Sequence, residues 1–306
     1  MKRPRFLLSL VTADNEFQRE QAAAGHQAAK QFDAEVQVIY SDSDAIQQSE
    51  QLLTIIQEPN SRPDGIIVQP AGGTTLPQVA RAAASAGIGW VILNREAEYV
   101  QEFRTTYKVP IFSVSSDQME IGRIQGRQVA ALLPEGGLAL HIQGPAANPA
   151  VRQRTLGLSE TKPANVLTKI IKTANWTSDA GYRAMSSWLR LSTSRGESID
   201  LIVAQGESLV MGARKAMQEQ TGAERDKWSR LPLLGVDGLP QGGQKWVRDG
   251  ILAATVVVPP NAGVALEILM KAIRSGIQPP ENTLIAPVSY PLIASLAATR
   301  NVTKVG

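Results

Sequence analysis

Residues 63–95 read PDGIIVQPAGGTTLPQVARAAASAGIGWVILNR. Within them, 65–68 is a short run that is apolar throughout and bounded by turn residues, which predicts a strand covered on both faces. Residues 76–86 carry a helical pattern, and 90–93 form a second apolar run. A strand, a helix and a second strand in that order make a parallel pair joined by a right-handed crossover. Outward from this unit the rhythm repeats. Apolar runs at 6–11, 36–40, 111–114, 137–142, 166–171, 201–203, 233–236 and 253–258 predict further strands. Helical patterns fall between them at 17–31, 46–57, 121–132, 180–191, 209–220 and 263–275. Val256-Val257-Val258 is again apolar throughout, so the expectation is α/β, with parallel sheets and helices on both faces.

About five strand–helix units run to Ser115-Ser116, and a second series starts at Asp117. That doubling predicts two doubly wound, Rossmann-like domains with a boundary near residue 116. No Gly/Ser linker is long enough to make the halves independent, so they are expected to be closely tied, with a cleft between them.

At 306 residues, with 43% hydrophobic and 19% charged residues, the chain is neither polar enough for disorder nor apolar enough for a membrane protein. The net charge of +3 comes without a basic tract, so no nucleic-acid footprint is visible. The absence of cysteine excludes disulfides, thiolate catalysis and Cys-based metal sites. The only histidines, His26 and His141, fall in different halves with no adjacent nucleophile or carboxylate, and both read as structural or surface residues. No cofactor and no metal is expected. Lys2, Arg3 and Arg5 precede an apolar run that ends at Thr12-Ala13-Asp14-Asn15 without a small-residue cleavage site, so this segment reads as a buried first strand rather than an export signal. The longest uncharged stretches, 250–266 and 282–299, are broken by Pro259-Pro260 and by Pro287 and Pro291, and no membrane insertion is expected.

In parallel α/β sheets ligands meet the loops that leave the strand C-termini. Here those loops hold 12–18, 94–96, 143–149 leading to Arg152 and Arg154, 175–177, 205–208 and Asp237-Gly238. Amides, carboxylates, guanidinium groups and two aromatic rings are pooled there. Such groups suit a polyhydroxylated ligand: carboxylates and amides meet hydroxyls, Arg forks across two oxygens, and flat rings cover C–H faces. Four or five charge-assisted hydrogen bonds of roughly 1.5–3 kcal/mol each support micromolar binding after association costs.

These residues carry a resemblance. Asn15-Glu16-Phe17-Gln18, Pro63-Asp64-Gly65-Ile66-Ile67-Val68 with Pro70, Ile92-Leu93-Asn94-Arg95, Arg152-Gln153-Arg154 before Gly157, Leu234-Gly235-Val236-Asp237-Gly238, and Gly250-Ile251-Leu252-Ala253-Ala254-Thr255 follow one another in the order and spacing of a known family. The chain resembles the ribose/galactose class of periplasmic solute-binding proteins, the type I periplasmic binding fold shared with the effector domains of LacI-type repressors. The resemblance runs to about Ile285. It implies a three-crossing hinge, with 1–116 plus 259–284 in an N-terminal lobe and 117–258 plus 285–306 in a C-terminal lobe. It further implies ligand-binding roles for Asn15, Phe17, Gln18, Asn94 and Arg95 from the first lobe, and for Arg152, Trp176, Gly206, Glu207 and Asp237 from the second, with Val258 at the hinge.

The chain departs from the family pattern in three places: Asn94 replaces an Asp, Gly206-Glu207 replaces an Asn-Asp pair, and Val258 replaces a Gln. An ordinary pentose or hexose is therefore not expected; a less hydroxylated, larger or partly apolar ligand, such as a sugar derivative, is.

The leading expectation is non-catalytic binding of a sugar-like solute by a monomer that feeds an ABC-type membrane permease or a sensor. A LacI-type effector domain without its DNA-binding headpiece is the alternative, and a carbohydrate enzyme ranks last. Localisation is expected to be periplasmic if an export signal has been removed, and cytoplasmic if the chain is complete. Gly72-Gly73-Thr74-Thr75 lacks the Lys and spacing of a phosphate-binding loop and reads as a helix-start turn with a Thr cap.

Overall fold

The computed structural model describes residues 3–72, 75–191 and 197–296. Its contacts divide the chain into two units, one of 1–116 with 260–285 and one of 117–259 with 286–306. The chain thus passes from one unit to the other three times.

The first unit contains strands β1 (Arg5–Leu10), β2 (Glu35–Tyr40), β3 (Gly65–Val68), β4 (Gly89–Leu93), β5 (Ile111–Ser116) and β11 (Asn282–Ile285). Its helices are α1 (Glu16–Gln31), α2 (Ala45–Gln57), α3 (Pro77–Ser85), α4 (Tyr99–Thr106) and α11 (Ala262–Ser275). The strands form one parallel sheet in the order β11-β5-β4-β3-β1-β2. Because successive side chains point to opposite faces of a strand, an all-apolar run feeds two cores at once. Phe6, Leu8 and Leu10 pack with Ile67, Val91 and helices α1 and α11. On the other face Leu7 packs with Ile66, Val68, Trp90, Ile92 and helices α2, α3 and α4. Each fully buried Leu, Ile or Val contributes about 1.5–3 kcal/mol of transfer free energy.

The second unit repeats the plan with β6 (Gly137–Gln143), β7 (Val166–Lys172), β8 (Leu201–Ala204), β9 (Leu233–Asp237), β10 (Ala254–Val257) and β12 (Val288–Tyr290), in the order β12-β10-β9-β8-β6-β7. Its helices are α5 (Gln118–Leu132), α6 (Pro149–Thr161), α7 (Ser178–Leu189), α8 (Glu207–Gln218), α9 (Gly222–Ser229) and α10 (Gly243–Arg248). Leu140, Ile142 and Ile202 face α7 and α8, while Ala139, Leu201 and Val203 face α5 and α6.

The sequence pattern did not mark helices α4, α6, α9 and α10 or the edge strands β11 and β12. Strands β11 and β12 are sheet edges of four and three residues, half-exposed and flanked by prolines, so no apolar run marks them. Strand β12 also runs antiparallel to β10, contrary to the all-parallel expectation; an edge strand is where a parallel sheet admits that. Helix α9 is short and buries only Trp228. The turn before α3 is not capped by a threonine. Leu76 occupies the cap position in a left-handed conformation, φ 58°, with no side-chain cap bond, while Pro77 opens the helix. Gly73 and Thr74 of that turn lie outside the described residues.

Candidate functional site

In each unit the strand order reverses once, between β1 and β3 and between β6 and β8. The loops leaving those strands are where open α/β sheets place ligands. In the first unit, β1 turns into α1 through a braced loop. Asn15 caps α1 by accepting the Gln18 N–H at 3.2 Å, and the Gln18 side-chain oxygen accepts the Val11 N–H at 3.0 Å. Asn15 and Gln18 are buried, and Phe17 beside them is half-buried.

Asn94 follows β4 with φ 58°, a left-handed conformation that Asn adopts more readily than most residues. Its Nδ2–H donates to Gln69 Oε1 at 3.3 Å, and its Oδ1 accepts from Asn261 Nδ2 at 2.7 Å. Asn261 in turn accepts from Gln21 Nε2 at 2.8 Å. A carboxylate at position 94 would offer Gln69 Oε1 no donor, so an amide suits this network as it stands. Arg95, 7% exposed, donates to the Gly72 carbonyl; burial lowers its pKa to about 10, which leaves it charged at neutral pH.

The second unit gathers a denser set. Residues Asn175–Thr177 after β7 are held by the Asn175 Oδ1, which accepts from the Thr177 N–H at 3.1 Å, and Thr177 caps α7. This fixes Trp176. A Cβ added to Gly144 would come within 2.3–2.6 Å of the Trp176 ring, and one added to Gly206 would reach 3.6 Å, so glycine at 144 is what lets the ring settle against that backbone. The Arg154 guanidinium lies 5.6 Å from the ring centroid, within cation–π range. Arg154 Nε–H donates to Gln118 Oε1 at 2.8 Å, and its Nη1 donates to the Gln205 carbonyl. Gln205 is itself fixed: it accepts the Gly144 N–H at 3.2 Å and donates to the Val151 carbonyl at 3.0 Å. Burial lowers the Arg154 pKa to about 10, with Asp237 pulling in the opposite sense, so the cation is retained at neutral pH.

Arg152, chosen from the sequence, is exposed, whereas Arg154, not chosen, is the arginine brought to Trp176 and Gln205. The signal was present. On a helix, 151, 154 and 158 share a face, Val151 and Leu158 are buried, and 152 lies about 200° round from 154. Gly144, Gln118 and Gln205 also went unchosen, because a brace and a clearance carry no chemical signature in sequence.

Glu207 opens α8 but points inward. Its carboxyl oxygens accept from the N–H groups of Gly238 at 2.7 Å and Gly243 at 3.0 Å and meet the Thr255 hydroxyl. Burial, then the neighbouring Asp237, push its pKa up to about 8. Asp237 ends β9 with φ 126°, and its Oδ2 accepts the Glu207 N–H at 3.4 Å. Val258 is 2% exposed, and its N–H donates to the Asp237 carbonyl at 2.9 Å. His26 is exposed on α1, whereas His141 on β6 is buried, which lowers its pKa to about 4.

A cavity of about 730 Å³ in the second unit lies elsewhere, at the N-terminal ends of β9 and β10, with Leu132, Met217, Trp228, Ile251 and Arg214 among its walls. None of the polar residues above lines it. Among the described residues no group of three or more His, Cys, Asp or Glu could hold a metal ion, and no helix is long and apolar enough to cross a membrane.

Known proteins resemble this chain in sequence and in fold. A protein of Rhizobium meliloti named for rhizopine binding is 31% identical over 161 residues, 51% of this chain and 49% of that one. The ribose import binding protein of Salmonella typhimurium is 27% identical over 199 residues, 64% of this chain and 60% of that one. The chain thus spans about half the length of the first of these curated relatives and 60% of the second. Both are named as binding proteins rather than enzymes. Among solved structures, an ABC transporter periplasmic solute binding protein from Actinobacillus succinogenes with bound D-allose superposes with a TM-score of 0.78 at 20% identity, covering 94% of this chain and 97% of that one, which establishes the shared fold. The periplasmic binding protein domain model matches residues 6–276, and the chain belongs to that family.

Proposed function

We propose that this protein binds one small, sugar-like molecule without chemical change and delivers it, as a periplasmic monomer, to an ABC-type membrane permease. The observation that carries the reading is the second-unit cluster, in which a half-buried, charged Arg154 stands against the Trp176 face with Asp237 as its counter-charge. An arginine fork spans neighbouring ring oxygens, an aromatic face covers ring C–H groups, and a carboxylate accepts from hydroxyls. Within the first unit, Asn15, Phe17 and Arg95 stand at the loops leaving β1 and β4, and within the second Gly206 leaves clearance at the edge of Trp176. Relatives named for rhizopine binding and ribose import support solute delivery over the repressor-domain alternative.

Three polar positions of the family pattern point away from a ligand role: both ends of the Asn94 amide are engaged, Glu207 is enclosed, and Val258 is apolar and buried. The ligand is therefore a sugar derivative with more apolar surface than a free pentose or hexose. Thermal-shift and calorimetric titration with D-ribose, D-allose and their methyl glycosides tests this. A methyl glycoside should raise the melting temperature and bind one-to-one, more tightly than the parent sugar. A panel without any binder refutes sugar binding, and tightest binding by free D-ribose refutes the derivative.

A further inference from the structure

The carboxyl group of Glu207, 3% exposed, bridges three separate elements of the second unit. It stands at the first position of α8 and accepts from Gly238 N–H in the turn after β9, from Gly243 N–H at the first position of α10, and meets the Thr255 hydroxyl on β10. The turn is built around it: a Cβ on Gly243 would fall 1.6 Å from its Oε1, and one on Gly235 would fall 2.9 Å from its Cγ. Asp237 leaves β9 at the edge of the same turn with φ 126°, a conformation that costs a non-glycine residue of order 1–3 kcal/mol and persists only where its surroundings impose it. The bonds that impose it here are the Glu207 N–H to Asp237 Oδ2 and the Val258 N–H to the Asp237 carbonyl, with Gly238, the next residue, tied to the Glu207 carboxyl.

We propose that Glu207 is a positioning residue, whose enclosed carboxyl group locks the 237–243 turn, aims Asp237 at the ligand, and makes that aim depend on the carboxyl's own protonation. The ligand half of this rests on the sugar-binding reading; the lock itself does not. Asp237, at the end of β9, is the charge that acts on Glu207, and Arg154 of α6 acts on Asp237 in turn. The side of α10 offers the Gly243 N–H, and β10 offers the Thr255 hydroxyl; Lys245 and Arg248 of α10 are exposed. Burial and the Asp237 carboxylate raise the Glu207 pKa to about 8, against the pull of the Thr255, Gly238 and Gly243 bonds. A group raised in the folded state favours folding below its unfolded pKa and loses that contribution as pH climbs through its folded value. Stability therefore declines as pH climbs towards about 8, and above it two carboxylates repel across the turn that holds Asp237.

The full-length chain and its Glu207→Gln, Glu207→Ala and Thr255→Val variants are compared by melting temperature from roughly pH 6 to 10 without sugar, and by affinity for methyl β-D-ribofuranoside over the same range. The parent should lose melting temperature with rising pH, and Glu207→Gln should flatten that slope. Thr255→Val, which removes a bond favouring the anion, should move the break to higher pH. Glu207→Ala should lose about 10–100-fold in affinity at pH 7. If Glu207→Ala does not fold, the Gln and Val variants decide, the lock by their melting slopes and the aim by their glycoside affinity over the same pH range, which a merely structural carboxyl would leave unmoved. A parent-like pH slope in Glu207→Gln, or parent-like affinity in Glu207→Ala, overturns the proposal. Failure of the parent to bind the glycoside counts against the sugar-derivative reading, while the pH slopes still decide the lock.

Discussion

Replacing Gly144 by alanine tests the second-unit cluster without any ligand. The added methyl would lie 2.3 Å from Cη2 and 2.6 Å from Cζ2 and Cζ3 of Trp176, more than 1 Å inside ordinary carbon contact, so the ring must move. Gly144 is not among the glycines with positive φ, and its backbone suits alanine. The whole cost is then overpacking, about 1–3 kcal/mol. With Trp176 already truncated to alanine, the same change meets no ring, and Gly→Ala becomes stabilising by about 0.4–1 kcal/mol through the unfolded chain. The sign of the Gly144→Ala effect therefore reverses between the two backgrounds, a coupling of about 1.5–4 kcal/mol in a double-mutant cycle. Urea unfolding of the four proteins measures it, and thermal melts should follow at roughly 2–4 °C per kcal/mol for a body of 150–250 residues. In Gly144→Ala alone, tryptophan emission should shift as the ring leaves the Arg154 guanidinium. An equal effect in both backgrounds, or none, refutes the placement of Trp176 against Gly144 and with it the cluster.

Other changes separate the roles assigned above. Arg154→Met should cost the sugar derivative about 10–100-fold in affinity by calorimetry, whereas exposed Arg152→Met should stay within about 0.5 kcal/mol of the parent in stability and leave affinity unchanged. Asn94→Asp, which restores the family's usual residue, sets a carboxylate against Gln69 Oε1 and should destabilise by about 1–3 kcal/mol in denaturant. His141 should keep the NMR shifts of a neutral ring down to about pH 4. Because its folded pKa lies below its ordinary 6.5, it contributes stability that is full above that value and lost as pH falls towards 4; His141→Gln should remove that part of the acid slope in melts.

The sequence by itself determined the alternation of strand and helix, because runs such as Ile66-Ile67-Val68 have no polar face to turn to water and must be covered on both sides. It also determined which loops gather polar residues, since position after a strand C-terminus is a property of order along the chain. Edge strands β11 and β12 escaped it because they are held by ladder bonds to one neighbour rather than by an apolar pattern. Only the tertiary structure decided which polar residues look outward. Asn94 and Glu207 stand at the expected loop positions, yet their side chains are enclosed by Gln69 and Asn261 in one case and by Gly238, Gly243 and Thr255 in the other. Arg154 is half-buried against Trp176 while Arg152 is exposed, because the turn of α6 points the two in different directions. A loop position fixes where a backbone atom emerges; the direction of its side chain depends on donors and acceptors brought from remote strands, and those meet only once the chain has folded.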